Sequence, residues 1–337
     1  MIFSKRGNMH RCLLLFSGGL DSILVAKILK REKIEIIPVC FKSYFFDCKL
    51  AKKSAKRLRL KLKVIDFSKE HLSIIKNPKY GYGKRMNPCV DCHLLMLKKS
   101  RKIMKDKNLK FIATGDVLGE RPFSQNREVL MKAEREANLE SLVLRPLSAK
   151  LLPETIPEKK SVGERKKMFD FNGKSRRSQL KLAKKLKILD FPNPAGGCIL
   201  TNLEYSKKLK ELFKKVPNCN GEDCQILKRG RTFWIPPTGG AFRFTKVPRV
   251  STYHPDKFLI IVGRNKKENR ELKRLKKERD IILEPENFPG LTVLVRGFGR
   301  RLPATQIKKR AIQEAVEFLL NYSKEMPEII KISLDEI

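Results

Sequence analysis

The sequence lacks any long apolar run. No stretch of its 337 residues approaches the roughly 20 apolar residues that a helix needs to span a bilayer. The first apolar run, residues 13–16, is too short for the core of a secretory signal peptide and leads directly into Ser-Gly-Gly. We therefore expect a cytoplasmic protein that is neither embedded in a membrane nor exported.

Acidic residues are also scarce. The chain has 36 Asp and Glu against 75 Lys and Arg, which gives a net charge of +39. A lysine-rich thermophilic surface is usually balanced by glutamate, but here the acids are outnumbered two to one. This excess favours a polyanionic partner, with nucleic acid ahead of a membrane surface.

The chain has eight cysteines, and in a reducing compartment clustered cysteines more often bind metals or react than form a disulfide framework. Cys89, Cys92 and His93 form a C-x-x-C-H pattern. That pattern is compatible with haem attachment, half of a zinc site, a redox dithiol or two iron–sulfur ligands. A cytoplasmic location weighs against haem, and a lone histidine such as His93 is more often a spectator.

Apolar periodicity predicts alternating strands and helices. We expect strands at residues 11–16, 34–41, 62–67, 109–113 and 141–144, and helices at 20–30, 49–60, 92–105 and 127–138. Residues 68–88 are polar and loop-like. The β-α-β-α-β order predicts an α/β fold with a parallel sheet and crossover helices.

Composition changes divide the chain into three predicted parts. Residues 1–205 form the first domain, which includes a basic helical segment at 146–190 with a helix at 179–189. Residues 206–224 form a linker, although residues 205–216 have the pattern of a basic helix. Residues 225–337 form a small α+β domain with a final helix at 304–323.

A glycine loop, SGGLDS at residues 17–22, follows the first strand and precedes the first helix. Two glycines let backbone N–H groups approach a ligand, two serines add hydroxyl groups, and the helix N-terminus attracts anions. The loop lacks both the Walker lysine and dinucleotide-fingerprint spacing. These features predict a phosphate cradle in which Asp21 helps to hold Mg²⁺. The alternative is a structural glycine turn whose Asp or Ser caps the helix.

SGGLDS resembles the pyrophosphate loop of the PP-loop ATP pyrophosphatases. Members of this family adenylate a carbonyl oxygen with ATP, and a nucleophile then displaces AMP. ATGDVLGERPFSQ at residues 113–125, and NPCVDC at 87–92 with GGC at 196–198, resemble the tRNA thiouridine synthetase (2-thiouridylase) branch. The resemblance covers about residues 10–205.

The resemblance implies a role for each matching residue. ATP phosphates and Mg²⁺ would be held by Ser17, Gly18, Gly19, Asp21 and Ser22, and the nucleotide would lie near Gly115, Asp116 and Gln125. Sulfur would be handled by Cys89, Cys92 and Cys198, with Asp21 as a further catalytic residue. Arg121 would contact phosphate. The partners implied are tRNA and a sulfur donor, either a protein or sulfide.

The three cysteines leave several chemistries open. Three thiolates can hold a 4Fe–4S cluster with one open iron, as several PP-loop tRNA thiolation enzymes do. Cys92 and Cys198 could instead act as a persulfide carrier and a resolving thiol. Zinc would need a fourth ligand. The 2-thiouridylase loop often carries Asp or Cys where Cys89 stands, so a plain persulfide mechanism does not transfer directly.

Cys12 and Cys40 lie in predicted strands and are expected to be buried and inert.

IIVGRNKKEN at residues 260–269 resembles an element of the RNA-binding region of NFACT proteins, and LTVLVRG at 291–297 resembles a later strand of the same region. The resemblance implies RNA binding by residues 225–300. Residues 266–279 are rich in Lys and Arg, and with Arg264, Arg296, Arg300 and Arg301 they predict a phosphate-binding face. The alternative is a solvated basic helix.

Together these features predict an ATP-dependent tRNA thiouridine synthetase. Two alternatives remain. The first is another PP-loop ligase, in which an amine attacks the adenylate and the cysteines are structural. The second is a non-enzymatic RNA-binding protein with a nucleotide-sensing domain and a structural metal.

Overall fold

The structure, a computed structural model, describes residues 10–188, 190–191, 198–235, 257–287, 290–298, 312–317 and 332–335. The chain divides into two compact units, Met1–Asn202 and Leu203–Ile337. Among the described residues, no helix combines the length and apolarity needed to cross a membrane.

The first unit is built on a five-stranded parallel sheet with the order β3-β2-β1-β4-β5. Its strands are β1 (Arg11–Leu15), β2 (Glu35–Lys42), β3 (Lys63–Asp66), β4 (Phe111–Ala113) and β5 (Val143–Leu144). The chain adds strands on one side of β1 and then returns to add β4 on the other. This reversal is the point where open α/β sheets usually bind ligands. The predicted α/β fold is confirmed.

Helices cover both faces of the sheet because successive side chains of a strand point to opposite faces. Cys12 and Leu14 pack into one core, and Leu13 packs into the other. The first core is covered by α1 (Leu20–Arg31) and α2 (Lys49–Arg57), and the second by α4 (Cys89–Asp106) and α5 (Arg127–Glu136). The functional loops therefore extend from a sheet that is buried on both sides.

One helix was not expected. Residues 68–88 are predicted as a loop, but Ser68–Lys76 form α3. The side chains of His71, Leu72 and Ile75 are buried on the inner side of this helix. The His71 ring stacks on Phe67 with ring centroids 5.0 Å apart, and its Nδ1 hydrogen-bonds the Ser43 hydroxyl at 2.6 Å. Burial lowers the pKa of His71 to about 4, so a residue that reads as polar in the sequence packs as a neutral aromatic ring.

The basic segment at residues 146–190 is anchored to the first unit. It contains two short 3-10 turns and the helices α6 (Ile156–Lys159) and α7 (Arg177–Lys185). Leu182 and Ala183 of α7 join the core that α1 covers. The apolar side of α7 thus faces the sheet domain, while most of its basic residues remain exposed.

The second unit contains a five-stranded antiparallel sheet with the order β10-β8-β9-β7-β6. The strands are β6 (Arg231–Trp234), β7 (Lys257–Val262), β8 (Ile281–Pro285), β9 (Val293–Phe298) and β10 (Ile332–Asp335). The helices are α8 (Leu203–Lys215), α9 (Gly221–Ile226) and α10 (Lys266–Leu275). Residues 206–224, predicted as a linker, form most of α8 and the start of α9. Of the helix predicted at 304–323, only the helical residues 312–317 lie within the described part.

Arg296 corrects one expectation for the basic face. Its side chain is only 2% exposed, so it cannot bind phosphate as predicted. The guanidinium pairs with Asp280 at 2.6 Å and with Asp223 at 3.1 Å, and it donates to the Leu275 carbonyl at 2.9 Å. Arg264 is more exposed and pairs with Glu268. Arg300 and Arg301 lie outside the described residues. The Arg296 cluster is therefore a structural centre of the second unit.

Breaking this buried cluster should destabilise the second unit. We expect Asp280→Ala to lower its free energy of unfolding by about 3–5 kcal/mol, because the charge of Arg296 would be left buried without its main partner. Trp234, the only tryptophan in the chain, lies in β6 and reports on this unit by fluorescence during urea unfolding. Lys267→Ala, an exposed matched change, should alter the value by less than about 0.5 kcal/mol. Equal effects of the two variants would contradict this role for Arg296.

Candidate nucleotide and thiol site

Three segments that carry predicted site residues meet at the carboxyl edge of the parallel sheet. The glycine loop follows β1, and the segment Thr114 to Asp116 follows β4. Helix α4 runs back toward β4, so its first turn, which carries Cys89 and Cys92, lies at the same edge. The fold thus brings together two groups of predicted site residues that are about seventy residues apart in the chain.

Gly18 is required by its backbone environment. Its φ of +78° lies in the left-handed region, and a Cβ atom there would come within 2.6 Å of the Ala51 Cα and 2.7 Å of the Leu50 carbonyl oxygen. The Ser54 hydroxyl donates to the Gly18 carbonyl at 2.9 Å. Helix α2 therefore packs directly on the loop backbone, which fixes the loop at the end of β1.

Two serine hydroxyls of the loop accept hydrogen bonds from backbone N–H groups of the same loop. The Gly18 N–H donates to the Ser22 hydroxyl at 3.1 Å, and the Gly19 N–H donates to the Ser17 hydroxyl at 3.3 Å. Helix α1 begins after Gly19 with no side chain capping it. Its first-turn N–H groups, together with these hydroxyls, provide donors and a positive helix end suited to phosphate oxygens.

Asp21 lies in a mixed charge cluster that the sequence did not predict. Its carboxylate accepts a hydrogen bond from Arg176 at 2.9 Å, and Arg176 also lies 3.4 Å from Glu120. Burial raises the pKa of Asp21 although Arg176 opposes this effect. Burial and the nearby Asp21 charge raise the pKa of Glu120. The second oxygen of Asp21 is buried without a hydrogen-bond partner, so this pair of carboxylates can accept a cation.

Gly115 explains why the end of β4 can approach helix α1. A Cβ at this position would lie 3.0 Å from the Asp21 carbonyl carbon and 3.0 Å from the Ser22 nitrogen. Beside it, the Asp116 carboxylate accepts hydrogen bonds from Thr114 at 2.7 Å and from Gln125 at 3.1 Å. The predicted nucleotide residues Gly115, Asp116 and Gln125 are therefore in one contiguous group next to the loop.

Two further residues beside Asp116 were not predicted from the sequence. His93 Nε2 lies 3.4 Å from the carboxylate, and Arg145 Nε lies 3.5 Å from it. Burial alone would raise the pKa of Asp116, but His93, Arg145 and the hydrogen bonds from Thr114 and Gln125 together hold it at about 2. Arg145 also pairs with the buried Glu134. His93, expected to be a spectator, connects the cysteine helix to the end of β4.

The segments that carry the three predicted sulfur residues lie next to each other. Met86, just before the first cysteines, donates its backbone N–H to the Leu200 carbonyl at 3.1 Å, which draws in the segment after Cys198. Burial raises the pKa of Cys92 well above its usual range, and the charges of Cys198 and Cys89 add to this effect. Burial also raises the pKa of Cys89, while Arg121 opposes it. Gly196 and Gly197, directly before Cys198, lie outside the described residues.

The fit to a metal cluster is partial. Three converging thiols are suitable donors, and their mutual repulsion as thiolates would be relieved by a cation. However, within the part of the chain that the structure describes, no group of three or more His, Cys, Asp or Glu side chains is arranged to hold a metal ion. The donor chemistry therefore fits a cluster, but the described geometry does not form its ligand set.

The other cysteines lie away from solvent. Cys12, Cys40, Cys48, Cys219 and Cys224 are all buried. Burial raises the pKa of both Cys12 and Cys40, so these thiols are held in the neutral, unreactive form. This agrees with the inert role expected for Cys12 and Cys40.

A parallel sheet with a glycine loop at its strand-order reversal is the arrangement of α/β nucleotide-binding domains of the PP-loop type. Residues 10–179 match the family described as the tRNA methyl transferase HUP domain, and this match spans half of the chain. The protein belongs to that family.

Curated relatives match parts of the chain. A tRNA-specific 2-thiouridylase, MnmA, of Geotalea uraniireducens is 27% identical over 178 residues, which cover 45% of this chain and 46% of that protein. An uncharacterized protein of Methanocaldococcus jannaschii is 31% identical over 122 residues, which cover 34% of this chain and 41% of that protein. The chain thus spans less than half the length of these relatives.

Among solved structures, the chain is similar to a 4-thiouridine synthetase–RNA complex with bound ATP, at 19% sequence identity and a TM-score of 0.37. The match covers 65% of this chain and 52% of the synthetase chain. The U34-tRNA thiolase NcsA from Methanococcus maripaludis with its 4Fe–4S cluster has 19% identity and a TM-score of 0.30, covering 66% and 71%. The family assignment depends on residues 10–179 and not on these structures.

The two loop glycines should respond differently to substitution. Gly18→Ala should destabilise the first unit by about 1–3 kcal/mol and weaken ATP binding. The alanine would have to adopt a left-handed backbone conformation, and its Cβ would collide with the backbone of α2. Gly19→Ala should fold normally, since Gly19 has a φ of −76° and its Cβ would lie 3.5 Å from the nearest atom, Ser17 Oγ. Circular-dichroism melting and equilibrium dialysis with ATP measure both effects. Similar melting of the two variants would refute the packing argument.

Asp116 should make stability depend on pH in the acid range. Its pKa is about 2 in the folded protein and about 3.9 when unfolded, so its stabilising effect is present above pH 4 and is lost as the pH falls toward 2. We expect Asp116→Asn to lower the free energy of unfolding by about 2 kcal/mol at pH 7, with the difference from wild type shrinking below pH 4. Urea titrations across this range measure it. Asp106→Asn, an exposed control, should track wild type at every pH. A difference for Asp116→Asn that is independent of pH would rule out this electrostatic role.

Proposed function

We propose that the protein is an ATP-dependent tRNA thiouridine synthetase that replaces a uridine carbonyl oxygen with sulfur. Family membership, together with relatives named as tRNA-specific 2-thiouridylases, supports a tRNA-modifying activity. The arrangement of the phosphate loop and the thiols supports the choice of sulfur chemistry. The excess of basic residues suits a tRNA substrate.

The first step in this proposal is adenylation. The glycine loop binds the ATP phosphates through the first-turn N–H groups of α1 and the hydroxyls of Ser17 and Ser22, which exchange their internal hydrogen bonds for phosphate oxygens. The uridine carbonyl oxygen attacks the α-phosphorus as the bond to pyrophosphate breaks. Donors fixed in the loop stabilise the charge that develops on the phosphate oxygens.

Asp21 and Glu120 are the residues that would hold Mg²⁺. They are part-buried carboxylates on either side of one cation, Arg176, and Asp21 has an unpartnered oxygen. When bound, Mg²⁺ would neutralise the phosphates and the leaving pyrophosphate. Arg176 then provides a positive charge on the same side of the loop for pyrophosphate.

The second step delivers sulfur from the cysteine group. In one hypothesis the terminal sulfur of a cysteine persulfide attacks the activated ring carbon and AMP leaves with the former carbonyl oxygen. The second thiol then attacks the resulting disulfide, which releases thiouridine and leaves a Cys92–Cys198 disulfide for an external dithiol to reduce. In the other hypothesis Cys89, Cys92 and Cys198 hold a 4Fe–4S cluster, which would supply an open iron site for sulfide.

One observation carries the proposal. His93, which follows Cys92 directly, lies 3.4 Å from the Asp116 carboxylate, and Gly115 packs against the backbone of Asp21 in the glycine loop. The cysteine helix, the end of β4 and the glycine loop are therefore neighbours at one edge of the sheet. A base held there can reach both an activated phosphate and a sulfur nucleophile, which is the arrangement that two-step thiolation requires.

Reaction of the anaerobically purified protein with ATP, a sulfide source and tRNA from a thiolation-deficient strain tests this function. We expect pyrophosphate release that depends on tRNA, and a thiolated nucleoside detected by mass spectrometry. Cys92→Ala and Cys198→Ala should abolish the thiolated nucleoside but keep pyrophosphate release. Cys219→Ala, a change at a buried cysteine of the second unit, should keep both.

Iron content distinguishes the two sulfur hypotheses. About four iron atoms per chain and absorbance near 400 nm would support a cluster, whereas an iron-free protein with cyanide-labile sulfur would support a persulfide. Pyrophosphate release by the wild-type protein that is never accompanied by a thiolated nucleoside, whatever the sulfur source, would reject sulfur transfer and favour a ligase that uses an amine. Absence of pyrophosphate release with any tRNA would favour a non-enzymatic RNA-binding protein.

A further inference from the structure

Two exposed aromatic side chains lie on loops beside the thiol site. Phe123 is 42% exposed and Tyr82 is 36% exposed. Phe123 follows Arg121 closely, and Tyr82 lies in the loop that leads into Cys89. A single exposed aromatic residue is ordinary, but two on adjoining loops at the candidate site call for a physical explanation.

Phe123 sits at the tip of a turn held by several hydrogen bonds. The backbone N–H groups of Ser124 and Gln125 donate to the Arg121 carbonyl at 3.0 and 2.7 Å. Asn126 caps α5 through its side-chain oxygen, and its side-chain nitrogen donates to the Pro122 carbonyl at 2.9 Å. These hydrogen bonds fix the backbone of the turn that carries the ring. The turn therefore loses little conformational entropy when a ligand binds.

The Phe123 ring packs against Gly83, the one described glycine whose added Cβ would meet this ring. A Cβ on Gly83 would lie 2.7 Å from Cδ1 of the ring, so the missing side chain lets the ring lie against the backbone of the neighbouring loop. The Gly83 N–H donates to the Asn87 carbonyl at 2.9 Å, and Cys89 follows two residues later. Chain geometry therefore places this support on the order of 10 Å from Cys89.

The segments that carry the ring and its support are rich in exposed cations. Lys84, Arg85, Arg121 and Arg127 are all exposed on the same two loops. Arg121 opens the turn that presents Phe123, because its carbonyl accepts the hydrogen bonds that hold this turn. An aromatic ring within a basic surface is the combination by which proteins hold unpaired nucleotides, since the base stacks and the phosphates meet cations.

We propose that Phe123 is the stacking platform for the uridine base that is turned out of the tRNA, with Lys84, Arg85 and Arg121 on its flanking phosphates. This inference rests on the proposed tRNA substrate. Stacking on one face orients the base edge toward the thiols and the phosphate loop. A flat ring holds any pyrimidine, so the carbonyl that reacts is chosen by position and not by Phe123 itself.

Kinetics with substituted rings test this role. Phe123→Ala and Phe123→Leu should both reduce kcat/KM for tRNA about tenfold to a hundredfold, because leucine keeps apolar contact with Gly83 but cannot stack. Phe123→Tyr and Phe123→Trp should restore it to within a few-fold of wild type. Leu151→Ala removes an apolar side chain that is 37% exposed elsewhere on this unit and should have no effect. Leucine and tryptophan variants of equal activity would overturn stacking.

Photochemical cross-linking locates the base independently of catalysis. tRNA transcribed with 5-iodouridine should cross-link on irradiation to the peptide that contains Phe123, and Phe123→Leu should remove this adduct. If the protein forms no thiouridine but the cross-link maps to Phe123, the proposed function fails and the stacking site stands. If no cross-link forms at Phe123, the inference is overturned whether or not the protein is active.

Discussion

The site depends on two places where backbone must approach backbone without a side chain between. Gly18 lies against the start of α2 at Ala51, and Gly115 lies against Asp21 at the start of α1. These contacts occur on either side of β1, where the strand order reverses. A larger residue at either position would push the phosphate loop away from the end of β4. The distances among loop, carboxylates and thiols are therefore set by packing density and not by the polar groups themselves.

Arginines provide the internal counter-charges at this edge of the sheet. Arg176 lies between Asp21 and Glu120, and Arg145 lies between Asp116 and Glu134. The two differ in what they can do. Arg145 is almost fully buried and fixed, so it keeps Asp116 ionised, whereas Arg176 is a quarter exposed and can exchange with another cation. Of these two arginines, only Arg176 would be able to change its partners when the nucleotide binds in the proposed function.

Much of the first unit could be predicted because its signals are local. Buried strands read as apolar runs, and the SGGLDS loop carries its chemistry within six residues. Residues whose role depends on distant partners were not predictable in this way. His71 needs Ser43 and Phe67 to be recognised as a core residue, and His93 needs Asp116. Arg296 reads as one more surface cation until its partners, Asp223 and Asp280, are brought to it by the fold of the second unit.

The scarcity of acids has a structural consequence for the surface. Seven acids among the described residues are buried, namely Asp91, Asp116, Glu134, Glu158, Asp223, Glu268 and Asp280, against two buried cations, Arg145 and Arg296. Since the interior holds more negative than positive charge, the remaining residues carry a larger positive charge than the net +39 of the chain. Attraction for a polyanion is thus spread widely over the surface and gives little selectivity. In the proposed function, selection of one nucleotide must then come from the few residues at the sheet edge, where an uncharged ring such as Phe123 would distinguish a turned-out base from a paired one.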